Sequence, residues 1–215
     1  DALSIAKVFA ASGYDTAYVG KWHLNGSPDG AYGGRRAFIP PESHQGFDYW
    51  KAFECNHNYM VSHYFEGDDP ELKLWDGYDA IAQTEDACRY IQGHAGGDKP
   101  FFLMLSWGTP HDPYDLVPEE YRAMFADREI HLRPNVAEDK RENAIRDLRG
   151  YYAHIAALDD CVGKLVDALE AGSIADDTIF VFTSDHGDCH YSQGMWTKVV
   201  PFEESIRVPF LLRYP

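Results

Sequence analysis

With 215 residues, 45% of them hydrophobic and 14% aromatic, the chain can close one substantial core, so one domain or most of one. Its 19 Lys and Arg face 35 Asp and Glu, a formal net charge of −16. With no basic stripe, that balance excludes a binder drawn electrostatically to nucleic acid, and any site for an anion must gather its own cations against the global field.

Residues 3–12, "LSIAKVFAAS", carry Leu3, Ala6, Val8 and Phe9 at helical spacing and stop at Gly13, which predicts a helix. "TAYVG" at 16–20 reads as a short buried strand. Residues 25–46 are rich in Gly, Pro and Arg and read as a long loop. "FDYWKAF" and "NYMVSHYF" are aromatic and read as strands or sheet-edge segments. A helix is expected over 78–94. "FFLMLSW" at 101–107 is the continuous apolar run of a strand covered on both faces. Across 138–171, Ile145, Leu148, Tyr152, Ile155, Leu158, Val162, Leu165 and Leu169 recur three or four apart, the pattern of a long helix. Then "TIFVFTS" gives a buried strand at 178–183, and "VPFLLRY" a last one. Strands that alternate with helices predict an α/β fold with a mostly parallel sheet flanked by helices.

In such sheets, sites form where the carboxyl ends of strands open into loops. The residues with the most chemistry follow three separate predicted strands: Lys21 and His23 after the first, His111 after "FFLMLSW", Asp185 and His186 after "TIFVFTS". Taken singly, each has a plain reading: a solvated lysine, a strand-end histidine, a loop histidine, an aspartate that caps the next element. Their convergence on one sheet edge favours a site. Asp185 suits a divalent cation, since a carboxylate ending a buried strand is costly unless a positive group meets it. Hard cations prefer its oxygens, while His186 as a ligand tilts the choice towards manganese or another transition metal. Asp188 reads either as a residue supporting the metal ligands from behind or, the reading preferred, as a solvated turn residue. Pro110 and Pro113 stiffen the His111 loop. Lys198 follows Gly194, Met195 and Trp196 in "GMWTKVVPFEESIRVPF", which can pin it inward. Glu203, Glu204 and Arg207 read as a structural ion-pair network. Lysines, histidines and a metal gathered together suit a tetrahedral oxyanion, sulfate or phosphate.

"GYDTAYVGKWHLNG", "TPHDPYDLVPEEY", "TSDHGD" and "GMWTKVVPFEESIRVPF", in that order, resemble the type I sulfatase family of the alkaline-phosphatase-like superfamily, from about residue 3 to the end. The resemblance implies a metal-dependent hydrolase of sulfate esters. It implies that Lys21, Lys198 and His111 contact the sulfate, and that His111 assists the leaving group. His23 would sit beside the nucleophile and help break down its sulfated intermediate. Asp185 and His186 would ligate a divalent metal, usually calcium, with manganese or magnesium as alternatives. His186 matches a position where the family places Asn or His. A carbohydrate or other small sulfate ester is the implied substrate, and relatives are often exported.

The family's nucleophile, a formylglycine, is made from Cys or Ser in C/S-x-P/A-x-R. None of Cys55, Cys88, Cys161 and Cys189 has that context, nor does any serine. In the family that motif, and two further aspartates of the metal site, lie upstream of the segment matched by "GKWH". The chain begins Asp1-Ala2-Leu3 without Met and ends on a strand pattern, so it is expected to be an internal piece of a sulfatase catalytic domain, inactive alone. Two other readings stay open: a phosphodiesterase or phosphonate monoester hydrolase of the same superfamily, and a non-catalytic module that binds a sulfated glycan. The four cysteines form no CxxC pair, which argues against a structural zinc site, and no apolar run reaches the roughly 18 residues of a membrane span.

Overall fold

In the computed structural model, which describes residues 3–26 and 35–215, a five-stranded sheet carries the first half of the chain. Helix α1 (Ile5–Ala11) leads into β1 (Asp15–Lys21), followed by β2 (Tyr49–Phe53), β3 (His63–Glu66), β4 (Asp69–Leu74), α2 (Asp79–His94) and β5 (Phe101–Ser106). The strand order is β4-β3-β2-β1-β5. The centre, β2-β1-β5, is parallel, and β3 and β4 add an antiparallel edge. The second half holds α3 (Glu119–Ala123), the long α4 (Arg141–Ala171), β6 (Phe180–Thr183), α5 (Glu203–Ile206) and β7 (Phe210–Arg213). Among the described residues, no helix is long and apolar enough to cross a membrane.

The local rules of the chain explain most of these elements. The Ser4 hydroxyl accepts from the Lys7 N–H and caps α1, as a serine at that position should. β1 is buried from Thr16 to Gly20, as a strand covered on both faces must be. On one side Tyr18, Trp22, Ile39, Phe47 and Trp50 form an aromatic cluster with Ala6 of α1. On the other, α2 and α4 close over β5: Ala87, Ile91, Leu165, Ala168 and Leu169 pack together, with Leu103, Leu105 and Phe180 against them. Small residues dominate the α2–α4 contact, which lets the helices approach closely.

Three expectations change. The loop expected over 25–46 falls in part on 27–34, outside the described residues, and Pro41–Ser43 forms a 3-10 turn. Of "NYMVSHYF", only the last three residues are strand; the segment before them turns at Asn56 and Asn58, whose side chains bond the local backbone. Three strands expected to be buried are not. β5 borders the sheet with Met104 exposed, and β6 pairs only with β7, antiparallel, in a separate ribbon. All four residues of β7 are exposed. Between α4 and this ribbon runs a groove of about 790 Å³, lined by Leu148, Tyr152, Ile155, Val162, Phe182 and Leu211 among others. An apolar run in sequence specifies a strand, but not how many layers cover it.

Two backbone and burial features generate tests. Gly20 has φ +112°, and a Cβ there would lie 2.1 Å from the Ser106 carbonyl oxygen on β5. Gly20→Ala is therefore expected to lower stability by roughly 3 kcal/mol or more, seen as a lower urea midpoint. Asp79, in the first turn of α2, is 1% exposed, and neither carboxyl oxygen has a hydrogen-bond partner among the described residues. Burial pushes its carboxyl up to about 7. An acid whose folded pKa is raised keeps its proton in the fold after the unfolded chain has lost it, so stability falls as pH rises from about 4 to about 7. Asp79→Asn should then raise the urea midpoint over wild type at pH 8, with the gain gone at pH 4.

Candidate active site

The carboxyl ends of β1 and β5, and the segment after β6, meet at one mouth. β1 delivers Lys21, and its ladder with β2 runs on past the strand: Trp22 N–H donates to the Phe53 carbonyl at 2.8 Å, and His23 N–H to that of Glu54 at 2.9 Å. The Glu54 side chain, 3% exposed, then accepts from the N–H groups of Gly26 (2.8 Å) and Asn25 (3.2 Å). A buried carboxylate thus holds the turn that presents Lys21 and His23. His23 has φ +51°, a left-handed conformation this capping stabilises. The Tyr18 hydroxyl donates to the Lys21 carbonyl.

His111 is fixed from three directions. Its Nδ1 lies 2.9 Å from Asp112 Oδ1 and 3.0 Å from the Asp112 carbonyl. Both are acceptors, so Nδ1 carries the proton and Nε2 presents a lone pair. That lone pair receives a hydrogen bond from the Lys198 ammonium. The loop itself is gripped by Tyr59, whose hydroxyl reaches the carbonyls of His111 (2.8 Å) and Asp112 (3.0 Å). Burial pulls the His111 imidazole below the usual histidine range, and the Lys198 and Lys21 charges pull the same way, against the Asp112 carbonyl. Lys198 is likewise lowered, first by burial and then by Lys21. His23 is lowered by burial, with Lys21 next.

The segment from 184 to 207 returns Lys198 to this mouth. Gly187 N–H donates to the Ser205 carbonyl at 2.8 Å, and a Cβ on Gly187 would meet the Glu204 carbonyl oxygen at 2.1 Å. The Tyr191 hydroxyl donates to Asp147 on α4 at 3.0 Å, and Ser192 Oγ to Asn135 at 2.9 Å. Glu204 pairs with Arg133 at 2.8 Å, so the ion pair here joins Glu204 to Arg133 and not to Arg207. Asp188 is not a solvated turn residue: its side chain is 9% exposed and accepts from the Tyr114 hydroxyl at 2.6 Å and from His190 N–H at 3.0 Å.

Asp185 and His186 sit on the same side. His186 Nδ1 donates to the Gly187 carbonyl at 2.8 Å, which leaves a lone pair on Nε2, 3.6 Å from Asp185 Oδ2. Two electron-pair donors at that separation, with no proton between them, fit adjacent positions around one divalent ion with ligand distances of about 2.0–2.6 Å. Asp185 is 83% exposed, so the desolvation argument made for it from sequence does not hold; what supports it as a ligand is the pairing with Nε2. Among the described residues, the pair is short of a full cage.

A family model for the sulfatases matches residues 2–215. The chain belongs to the sulfatase family. It is 42% identical over 215 residues to an ulvan-active sulfatase of Formosa agariphila, covering 99% of this chain and 41% of that protein. It is 30% identical to an endo-4-O-sulfatase of Bacteroides thetaiotaomicron, covering 100% of this chain and 46% of that one. A crystal structure of a putative sulfatase from Bacteroides fragilis superposes with a TM-score of 0.92 at 28% identity, covering all of this chain and 50% of that one. The chain thus spans about half the length of the relatives it matches.

In this sulfatase chain, all six residues singled out from sequence lie around one mouth: Lys21, His23 and Lys198 share one electrostatic environment with Asp185, and the His111 and His186 rings are 5.9 Å apart. Sequence reasoning missed the loop between β2 and β3. His57 on that loop lies with its ring 4.8 Å from that of His111, and Tyr59 two residues on is the clamp just described. The signal in the sequence is "ECNHNY", a polar, turn-forming stretch directly after an apolar strand, which falls in the gap between the two segments read as strands except for Asn58 and Tyr59.

Proposed function

We propose that the whole protein hydrolyses sulfate esters of a carbohydrate, with this chain supplying the anion-binding side of its site. Membership of the sulfatase family supports the reaction, and the names of the two relatives support a sulfated glycan as substrate. The observation that carries the reading is the Lys198–His111 hydrogen bond beside Lys21. It places two ammonium groups and a tautomer-fixed imidazole where a tetrahedral oxyanion could replace the bond between them.

Each residue has a task in this reading. Lys21 and Lys198 bind sulfate oxygens and stabilise the charge that grows on them and on the departing oxygen. Lys198, with its proton held less tightly than an ordinary lysine's, is a proton source for the leaving oxygen, directly or through His111 Nε2. The Asp112 carboxylate keeps the His111 proton on Nδ1. His23, held neutral by its surroundings, can take or pass a proton beside the nucleophile. Asp185 and His186 would hold the divalent metal, calcium on the carboxylate's preference, which supplies a Lewis acid for one sulfate oxygen. None of these 215 residues forms the C/S-x-P/A-x-R motif, so the formylglycine nucleophile is assigned to polypeptide beyond them, and the chain alone is expected to be inactive.

Release of inorganic sulfate from sulfated oligosaccharides by the full-length protein, followed by ion chromatography, is the direct test. Turnover of bis(4-nitrophenyl) phosphate in preference to any sulfate ester would overturn the reading. Lys198→Ala should lower kcat by about 10²–10³, the loss typical of one oxyanion donor. Exhaustive chelation should abolish sulfate release, and added calcium should restore it.

A further inference from the structure

His57 itself has no part in the roles above, yet its ring is tilted 52° against His111 at 4.8 Å between centroids. One ligand atom each from His57, His111 and Asp112 falls within 4.8 Å of the others. The loop is held at both ends. Glu54 at its start caps the turn after β1, and Tyr59 grips the His111 and Asp112 carbonyls. Between them, Cys55 N–H donates to the Arg35 carbonyl at 3.4 Å. A side chain on such a platform arrives preorganised.

The electrostatics separate His57 from the sulfate-binding groups. Burial first, then the His111, Arg35 and Lys21 fields, push its pKa down to about 4, so at neutral pH it brings no charge. Its Nε2 faces Cys55 Sγ at 3.5 Å, and Nδ1 has no protein partner among the described residues. Both nitrogens of His111 are already engaged, Nδ1 with Asp112 and Nε2 with Lys198, which leaves it no free lone pair for a cation between His57, His111 and Asp112. A neutral imidazole nitrogen beside a cationic anion site is suited to a neutral hydroxyl, which can both donate and accept.

We propose that His57 is a specificity residue that binds a hydroxyl of the sugar carrying the sulfate, on the leaving-group side of the His111–Lys198 pair. The inference rests on the sulfatase reading and deepens it: the preferred ester is one whose alcohol carries a hydroxyl near the scissile C–O–S linkage. Such a contact discriminates strongly, because an ester lacking the hydroxyl leaves the nitrogen unpaired.

The experiment compares two esters in the full-length protein, a sulfated ulvan-derived oligosaccharide and 4-nitrophenyl sulfate, which has no hydroxyl to offer. In His57→Ala the ratio of kcat/KM for the sugar ester to that for the aryl ester should fall at least tenfold. His57→Gln keeps a donor and an acceptor at similar reach and should recover part of the ratio; thermal melting confirms that both variants fold. A ratio within twofold of wild type in His57→Ala would overturn the inference even if both activities fall, since that pattern belongs to a structural role. Micromolar zinc that inhibits wild type but not His57→Ala, with the ratio unmoved, would also overturn it in favour of a metal site. Wild-type protein that turns over neither ester would overturn the sulfatase reading itself, and this inference with it.

Discussion

Lys21 and Lys198 repel one another, and both sit in the same mouth as the partly buried His111. Bringing them together costs free energy that an oxyanion would return on binding, so before binding other contacts must hold them in place. Those contacts are mostly uncharged or acidic. The Glu54 carboxylate caps the β1 turn, Tyr59 grips the His111 loop, and Asp112 orients the imidazole. Gly150 lets α4 accept the Tyr114 carbonyl where a Cβ would come within 2.0 Å of it. A protein of net charge −16 can keep a cationic site of this kind because, among the described residues, neither lysine is held in an ion pair that would cancel its charge: Lys21 is placed by β1 and its capped turn, and Lys198 by its bond to His111. That arrangement leaves charge available for a ligand.

Much of this was legible in the sequence because it follows from period and position. The helical spacing of α2 and α4 and the apolar run of β1 gave those elements nearly to the residue. The rule that sites lie at strand carboxyl ends is enough to place Lys21, His111 and Asp185 at one edge of the sheet. What could not be read was coverage and partners. An apolar run does not say whether a strand is central or at an edge, so β5, β6 and β7 were all expected to be buried. Asp185 and Asp188 are chemically alike and three residues apart, but one is exposed and the other is bonded to Tyr114. Only the three-dimensional neighbourhood separates them. His57 escaped because its loop joins β2 to the antiparallel β3, away from the alternation of strand and helix that guided the search.

The site is built on two bodies of chain. Lys21, His23 and His111 belong to the five-stranded sheet and share its anchors. Asp185, His186 and Lys198 belong to the excursion between β6 and β7, which reaches the first body through Tyr114–Asp188, Tyr191–Asp147, Ser192–Asn135 and the Lys198–His111 bond. These contacts are polar and local. The apolar faces of β6, β7 and α4 meanwhile line an open groove, and the metal ligands proposed on the excursion are only a pair, Asp185 and His186.

The two shortfalls have one physical origin. A ribbon of two strands has little of its own to fix where its ends point, so the positions of Asp185 and His186 depend on whatever packs into the groove beside β6. The side that carries Lys21 needs no such support, since β1 is flanked by β2 and β5 and its turn is capped from within. On the proposed reading, in a protein of the relatives' length, about twice this one, packing of that groove and completion of a metal cage around Asp185 and His186 would be coupled: each further contact on the ribbon would also fix that pair. On the proposal that Asp185 and His186 hold a metal and the two lysines a sulfate, substitutions at the α4 groove positions Leu148, Ile155 and Val162 should weaken metal binding more than sulfate binding.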